Sequence, residues 1–144
     1  MNENVESLIR SEVISKGSSK ISALKNVRVK MVELQRNIAK NKNVILDGRD
    51  IGTKVFPDAD YKFFITASVE TRAKRRYEQL KLSGADVDFN NVLSDIKKRD
   101  ESDSTRKISP LKMADDAILI DTSNMEIDEV VKTIADFIGG KNVL

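Results

Sequence analysis

Arginine and aspartate residues form the groups of this sequence that could do chemistry. The first group, Arg49 and Asp50, follows a short apolar run at 44–46 that is typical of a strand buried on both faces. The other groups are Arg28 alone, the trio Arg72, Arg75 and Arg76, and the set Arg99, Asp100, Asp103 and Arg106. Because arginine binds phosphates and carboxylates through paired hydrogen bonds, these groups favour an anionic, phosphate-bearing ligand.

The position of Arg49 and Asp50 supports this interpretation. Asp47 and Gly48 form a turn signal, so the charged pair stands where a parallel strand would end. Open α/β sheets bind their ligands at the carboxyl ends of strands. Each arginine-rich helix could instead be a solvated face with ion pairs at three- and four-residue spacing, and the residues alone leave both interpretations open.

Composition excludes several classes of site. The 144 residues are 40% hydrophobic and 33% charged with a net charge of +2, which predicts one domain without a general nucleic-acid surface. The absence of cysteine and histidine excludes disulfides, thiolate or histidine metal sites and Ser-His-Asp catalysis. With no long apolar stretch and no signal peptide in the sequence, we expect a cytoplasmic protein without a membrane segment.

The hydrophobic pattern predicts an α/β fold. Apolar runs at 44–46, 61–67 and 117–121 predict three strands, and the helical segments between them predict a parallel sheet. Helices are predicted from Ser11 to a break at 16–20, then at 25–40, at 69–82 after a Ser68 cap, from Asp88 into the charged run, and at 127–138. Val27, Met31, Leu34 and Ile38 form the apolar face of the second helix.

Six motifs, taken in order and at their spacing, resemble the bacterial cytidylate kinases. They are DGRDIGT at 47–53, VFPDAD at 55–60, RAKRRY at 72–77, RDESDSTR at 99–106, PLK at 110–112 and DAILIDT at 116–122. The resemblance runs from about residue 3 to residue 138, and the motifs are specific only jointly. It implies a P-loop-kinase-like parallel sheet flanked by helices, reduced here to about three strands.

The resemblance implies a role for each charged group. Arg28 and Asp50 would recognise the cytosine, and Ser19, Arg99 and Asp103 would hold the pentose. Arg49 and Arg106 would bind the acceptor phosphate, and Arg75 and Arg76 would belong to a lid over the transferred group. Asp47 would either orient this group of residues or act near the metal-bound phosphates. Elementary chemistry agrees for the base, since a carboxylate accepts a hydrogen bond from the exocyclic amino group of cytosine. No metal ligand is implied in this chain.

The phosphate-binding loop of the family is missing from this sequence. In the family, a first strand leads into Gly-x-x-x-x-Gly-Lys-Ser/Thr, whose backbone amides cradle the phosphates of ATP. None of the six glycines opens this pattern: the run at 16–20 lacks the first glycine, and the run at 48–54 fails on spacing. The resemblance therefore implies the C-terminal part of such a kinase, a partial domain with the end of the CMP-binding insert at 1–42 and the core strands, lid and last helix at 43–144.

The missing strand has a structural consequence. In the family it lies between the strands that match 44–46 and 62–67, so its loss would leave unpaired backbone amides. We expect the remaining strands to close up, or a partner to complete the sheet by self-association, strand exchange or supply of the missing N-terminal half.

Two classes of function stay open. The chain is either a (d)CMP kinase part, with ATP and Mg as co-substrate but none expected on this chain alone, or a catalytically inactive remnant that binds CMP or associates with itself. The choice among CMP, dCMP and UMP also stays open.

Overall fold

The computed structural model describes residue 9 and residues 12–140. In chain order the elements are α1 (Glu12–Ser22), α2 (Lys25–Ala39), a π-helical turn (Ile51–Val55), β1 (Phe63–Thr66), α3 (Val69–Leu82), α4 (Phe89–Thr105), β2 (Ile118–Asp121) and α5 (Ile127–Ile138). The predicted α/β class is confirmed. The sheet, however, has two strands in the described part of the chain, where three were predicted.

The two strands pair in parallel, in a register that matches Phe63 with Ile118 and Ile65 with Ile120. The chain between them forms α3 and α4, as the long crossover of a parallel pair requires. Ile120 is buried, but Ile65 is 53% exposed and Leu119 is 57% exposed. Since neighbouring positions of a strand point to opposite faces, both faces of the sheet are partly uncovered.

The predicted strand at 44–46 is wrong. Residues 43–47 carry no secondary structure, and Ile45 is 100% exposed. A strand exists only where a neighbour satisfies its backbone donors and acceptors, and no described strand lies beside this segment. Closure of the three strands on themselves is therefore also wrong, while completion by a partner stays a prediction.

Helix α1 does not break at 16–20 as predicted. It continues through Gly17 to Ser22, since a single glycine costs a helix only about 1 kcal/mol and tertiary contacts offset this. Lys16 forms a 2.9 Å ion pair with Asp95 on α4. The predicted start at Ser11 lies outside the described residues.

The other predicted helices are confirmed, and side-chain caps define where α3 and α4 begin. Ser68 Oγ accepts from the Thr71 amide at 3.1 Å, and the Asp88 carboxylate accepts from the Asn91 amide at 3.0 Å. Gly84, at φ +80°, follows the end of α3. These capping residues lie close to their helices in sequence, which is why their pattern predicts the helix starts.

Helix α2 packs against the π-helical turn on one side only. Arg36 donates from Nε to the Val55 carbonyl at 2.8 Å and from Nη2 to the Lys54 carbonyl at 2.7 Å, and Val55 is fully buried. The predicted apolar face is largely open: Met31, Leu34 and Ile38 are 46%, 46% and 55% exposed. The described residues therefore leave an apolar helix face uncovered.

Candidate functional site

Asp103 is the centre of a group of arginines. It lies in the last turn of α4 and is buried, with 6% exposure. Its Oδ2 accepts from Arg49 Nε at 3.0 Å, its Oδ1 lies 3.5 Å from Arg106 Nη1, and Arg99 Nε lies at 3.9 Å. Arg99 and Arg106 reach it along one helix face, as their spacing predicted, whereas Arg49 comes from a segment 54 residues away.

Arg28 and Asp50 form a second, more deeply buried pair. Arg28 Nη2 donates to the Asp50 carboxylate, which is 4% exposed. Arg28 Nη1 also donates to the Ser22 carbonyl at 3.3 Å, which joins the pair to the end of α1. A buried carboxylate needs such a partner, because an unpaired charge in the interior is strongly unfavourable.

The two groups are electrostatically one cluster. Burial lowers the pKa of Arg106, repulsion from Arg28 and Arg49 lowers it further, and the carboxylates of Asp103 and Asp50 oppose this shift. Counting Arg99 as well, four guanidinium groups face two carboxylates. The cluster therefore has an excess of two positive charges.

Two donors in this cluster have no acceptor. Arg28 Nε and Arg106 Nη2 are buried and lack a hydrogen-bond partner within the described part of the chain. Leaving a buried donor unpaired costs about 1–3 kcal/mol, more when the group is charged. The unpaired donors and the excess charge together suit an anionic ligand, and a phosphate monoester carries about two negative charges.

A compact turn positions Asp50. The Asp50 carbonyl accepts from the Lys54 amide at 2.9 Å, which begins the π-helical turn. Gly48 makes the approach to this turn possible, since a Cβ there would lie 2.9 Å from the Ile51 side chain. The turn thereby places Arg49 beside Asp103 and Asp50 beside Arg28, although the strand predicted to lead into it is absent.

Two predicted site residues lie around the cluster without an ion pair to it. Ser15 of α1 accepts from Arg99 Nη1 at 3.4 Å, and the Ser22 carbonyl accepts from Arg28. Ser19 lies on the same helix face, four residues after Ser15, so it falls between these two contacts. Asp47 is exposed at the end of the extended segment.

The α3 arginines make other contacts. Arg75 Nη2 donates to the carbonyls of Thr122 at 2.7 Å and Met125 at 3.0 Å, which joins α3 to the loop after β2. Arg76 Nη1 donates to Gln79 at 2.8 Å. Arg72 pairs with Asp100 of α4 at 2.7 Å. Within the described residues, the structure does not bring Arg75 or Arg76 to the Asp103 cluster.

Sequence reasoning missed two residues that support the site. Arg36 ties α2, which carries Arg28, to the turn that carries Asp50. Ser109 accepts a hydrogen bond from Arg106 Nε through its carbonyl. Both contacts involve backbone carbonyls, which leave no side-chain pattern in a sequence; Pro110 predicts only that a turn is near.

Among the described residues, no helix is long and apolar enough to cross a membrane. Over the same ranges, no group of three or more acidic side chains comes together as metal ligands would.

Comparison with known proteins gives one consistent family. The sequence model described as "Cytidylate kinase" matches residues 1–139. The chain is 53% identical over 136 residues to a cytidylate kinase of Clostridium botulinum (strain Okra / Type B1), covering 94% of this chain and 63% of that protein. It is 52% identical to a cytidylate kinase of Caldanaerobacter subterraneus and 49% identical to one of Carboxydothermus hydrogenoformans, covering 61% and 63% of them. The chain thus spans less than two thirds of the length of these relatives.

Proposed function

Because the chain belongs to the cytidylate kinase family, as its motifs predicted, we propose that it supplies the monophosphate-binding part of a kinase that transfers the γ-phosphoryl group of ATP to CMP or dCMP. It would act as a single partial domain, the C-terminal part of such an enzyme. The observation that carries the proposal is a cluster around two buried carboxylates, with two excess positive charges and two buried, unpaired guanidinium donors.

The base end of the proposed site is the pair of Arg28 and Asp50. The carboxylate would accept from the exocyclic amino group of cytosine, and the guanidinium would donate to its ring acceptors. In the free chain the two side chains satisfy each other. The unpaired Nε of Arg28 is the donor that remains for the base.

The phosphate end is formed by Arg49 and Arg106, and the sugar would lie near Ser19, Arg99 and Asp103. Two guanidinium groups would neutralise the acceptor phosphate, so that it could approach the phosphates of ATP with less repulsion. Asp103 holds these arginines together in the free chain. Phosphoryl transfer depends mainly on such positioning and charge neutralisation.

ATP with Mg is the co-substrate that the family implies. The described residues include no acidic cluster for a metal, and the sequence has no phosphate-binding loop, so this chain would not hold ATP and Mg by itself. Arg75 and Arg76 would act on the transferred group only if ligand closure freed them from their present carbonyl and amide partners. Asp47, which is exposed, would either orient the arginines of the cluster or act near the metal-bound phosphates.

We propose that a second polypeptide completes this site, either the missing N-terminal part or another copy of the chain. Exposed apolar side chains support this: Ile65 and Leu119 are exposed on the two strands, and Ile45 is exposed in the irregular segment 43–47. An added strand would satisfy the open backbone of 43–47 and cover apolar surface at once.

Calorimetric titration with CMP and with cytidine tests the assignments. We expect Arg28→Lys to weaken both ligands about tenfold, because lysine lacks the Nε donor that would face the base. Arg49→Lys should weaken CMP by a similar factor and leave cytidine unchanged, since cytidine has no phosphate. The control is Lys30→Ala, whose exposed side chain pairs with Glu33 on the same helix as Arg28.

Failure of wild-type chain to bind CMP would contradict the proposed site. So would equal CMP affinities for wild type, Arg28→Lys and Arg49→Lys.

The alternative function is a catalytically inactive remnant that mainly associates with itself. The open apolar face of α2 favours this candidate, because such faces normally lie against protein. An assay for ADP formed from ATP and CMP separates the two. We expect no turnover by the chain alone and measurable turnover after addition of the unmatched part of a relative; turnover by the chain alone would refute the need for complementation.

A further inference from the structure

The guanidinium group of Arg106 is held on two sides by its own neighbourhood. Arg106 caps the end of α4, and its Nη1 lies 3.5 Å from Asp103 Oδ1. Its Nε donates to the carbonyl of Ser109. Only Nη2, which is buried, lacks a partner within the described residues. The guanidinium group is therefore held in one orientation, with one buried nitrogen left for a ligand.

The backbone at Ser109 makes the second of these contacts possible. Ser109 has φ +51°, a left-handed conformation that is uncommon for residues other than glycine, and it is buried, with 7% exposure. Two residues later, the Leu111 amide donates to the Asp103 carbonyl at 2.7 Å. The loop thus folds back over the last turn of α4, and it satisfies one of the carbonyls that a helix end leaves unpaired.

A residue other than glycine costs free energy when it adopts the left-handed conformation. It persists there where the surrounding structure holds it, often at functional sites. The chain direction at Ser109 brings its carbonyl to Arg106 Nε and leaves Nη2 as the unpaired nitrogen.

We propose that Ser109 is a positioning residue for Arg106: its left-handed turn fixes the guanidinium so that Nη2 is reserved for the phosphate of a nucleoside monophosphate. This inference rests on the proposed function, because it takes Arg106 as a phosphate ligand. On this proposal, the backbone conformation at Ser109 controls the orientation of the Arg106 side chain three residues earlier.

The test compares two substitutions that differ in their tolerance of positive φ, made in the full chain. Ser109→Val disfavours the left-handed conformation because it is β-branched, and we expect CMP to bind about tenfold more weakly with cytidine unchanged. Ser109→Gly accepts that conformation freely, so it should restore CMP affinity to within about threefold of wild type. Lys107→Ala, exposed in the same loop, is the control.

A structural role alone would lower the affinity for CMP and cytidine together, so an unchanged ratio of the two affinities in a folded Ser109→Val chain overturns the inference. Equal weakening by Ser109→Gly and Ser109→Val also overturns it. If Arg106→Lys leaves CMP affinity unchanged, the proposed function fails at the phosphate; if Arg106→Lys weakens CMP and Ser109→Val does not, only the positioning role fails.

A measurement on the wild-type chain covers the case in which Ser109→Val does not fold. The Nε–H proton of Arg106 should exchange slowly with solvent in nuclear magnetic resonance spectra, and CMP should shift the Nη resonances while the Nε resonance stays in place. An Nε–H that exchanges as fast as that of Arg76, which bonds to Gln79 on the surface through Nη1, would overturn the inference.

Discussion

The charged cluster and the apolar surface of this chain differ in how many of their groups have partners within the described residues. Around Asp50 and Asp103 almost every charged atom has a partner, and both carboxylates are buried. Along 43–47, the α2 face and the sheet, large apolar side chains such as Ile45 and Leu119 stand exposed. Within the described residues, the first region leaves only two buried guanidinium donors unpaired, whereas the second leaves many large apolar side chains uncovered.

The difference shows which interactions this chain can form by itself. Ion pairs need only a few side chains from neighbouring helices and turns. A strand or a helix face needs an entire second layer to cover it, and in a chain that spans 63% of a relative such a layer can be missing. The candidate binding site is therefore built even where the core is open.

Removing the carboxylate at the centre of the cluster should have the largest effect. Asp103→Ala removes a buried carboxylate and leaves the buried guanidinium of Arg106 and the half-exposed one of Arg49 without their shared counter-charge. We expect a loss of about 3–5 kcal/mol in the free energy of unfolding, measured by urea denaturation. The matched control is Asp95→Ala, whose partner Lys16 is 57% exposed; its loss should be at most about 1 kcal/mol. Equal losses for the two variants would mean that the cluster is no more satisfied than the surface.

A change on the open side should behave in the opposite way. Ile45→Lys alters a fully exposed side chain, so the free energy of unfolding of the isolated chain should stay within about 0.5 kcal/mol. If 43–47 receives a strand from a partner, the same change should weaken association at least about tenfold, since it places a charge in the new interface.

Sedimentation equilibrium of the chain, alone and with the unmatched part of a relative, measures this association. Leu82→Lys, at another exposed apolar position at the end of α3, is the control for nonspecific association through apolar surface. A marked destabilisation of the isolated chain by Ile45→Lys would show that the segment 43–47 already packs against another part of the same chain.

The smallest expected effect is at an ion pair that belongs to neither region and joins the exposed carboxylate of Asp116 to Lys62. A hydrogen bond from Lys62 lowers the pKa of Asp116 below its ordinary value of 3.8. A depressed carboxylate pKa in the folded state adds stability above pH 3.8, and this is lost as the pH falls through the folded-state pKa. Asp116→Asn should therefore lower the urea midpoint slightly at neutral pH and leave it unchanged well below pH 3.8.

Asp115→Asn, a substitution of the neighbouring exposed carboxylate, is the control for the general effect of removing a negative charge. A difference between Asp116→Asn and wild type that grew on acidification would contradict the sign of the pKa shift.

Much of the fold could be predicted because its signals are local. The caps Ser68 and Asp88 lie next to the helices they begin, and the three- and four-residue spacing of Arg99, Asp103 and Arg106 places them on one helix face whatever surrounds it. The family resemblance rested on ordered motifs, and the comparisons confirm it.

The wrong predictions share one cause: the structure of each segment depends on contacts with segments that are distant in the sequence. The run at 44–46 has the composition of a buried strand, but strand formation requires backbone partners that no described strand supplies. Helix α1 runs through Gly17 because contacts with α4 outweigh a weak local preference.

By itself, the sequence determined the helices with side-chain caps, the class of the fold, the family and the types of residue available for binding an anion. Only the tertiary structure decided that Arg49 would meet Asp103, that Arg28 would meet Asp50, and that Ser109 would turn its carbonyl toward Arg106. The physical reason is range. Capping and helical spacing act over three or four residues, whereas a buried ion pair or a strand depends on segments that the chain brings together only when it folds.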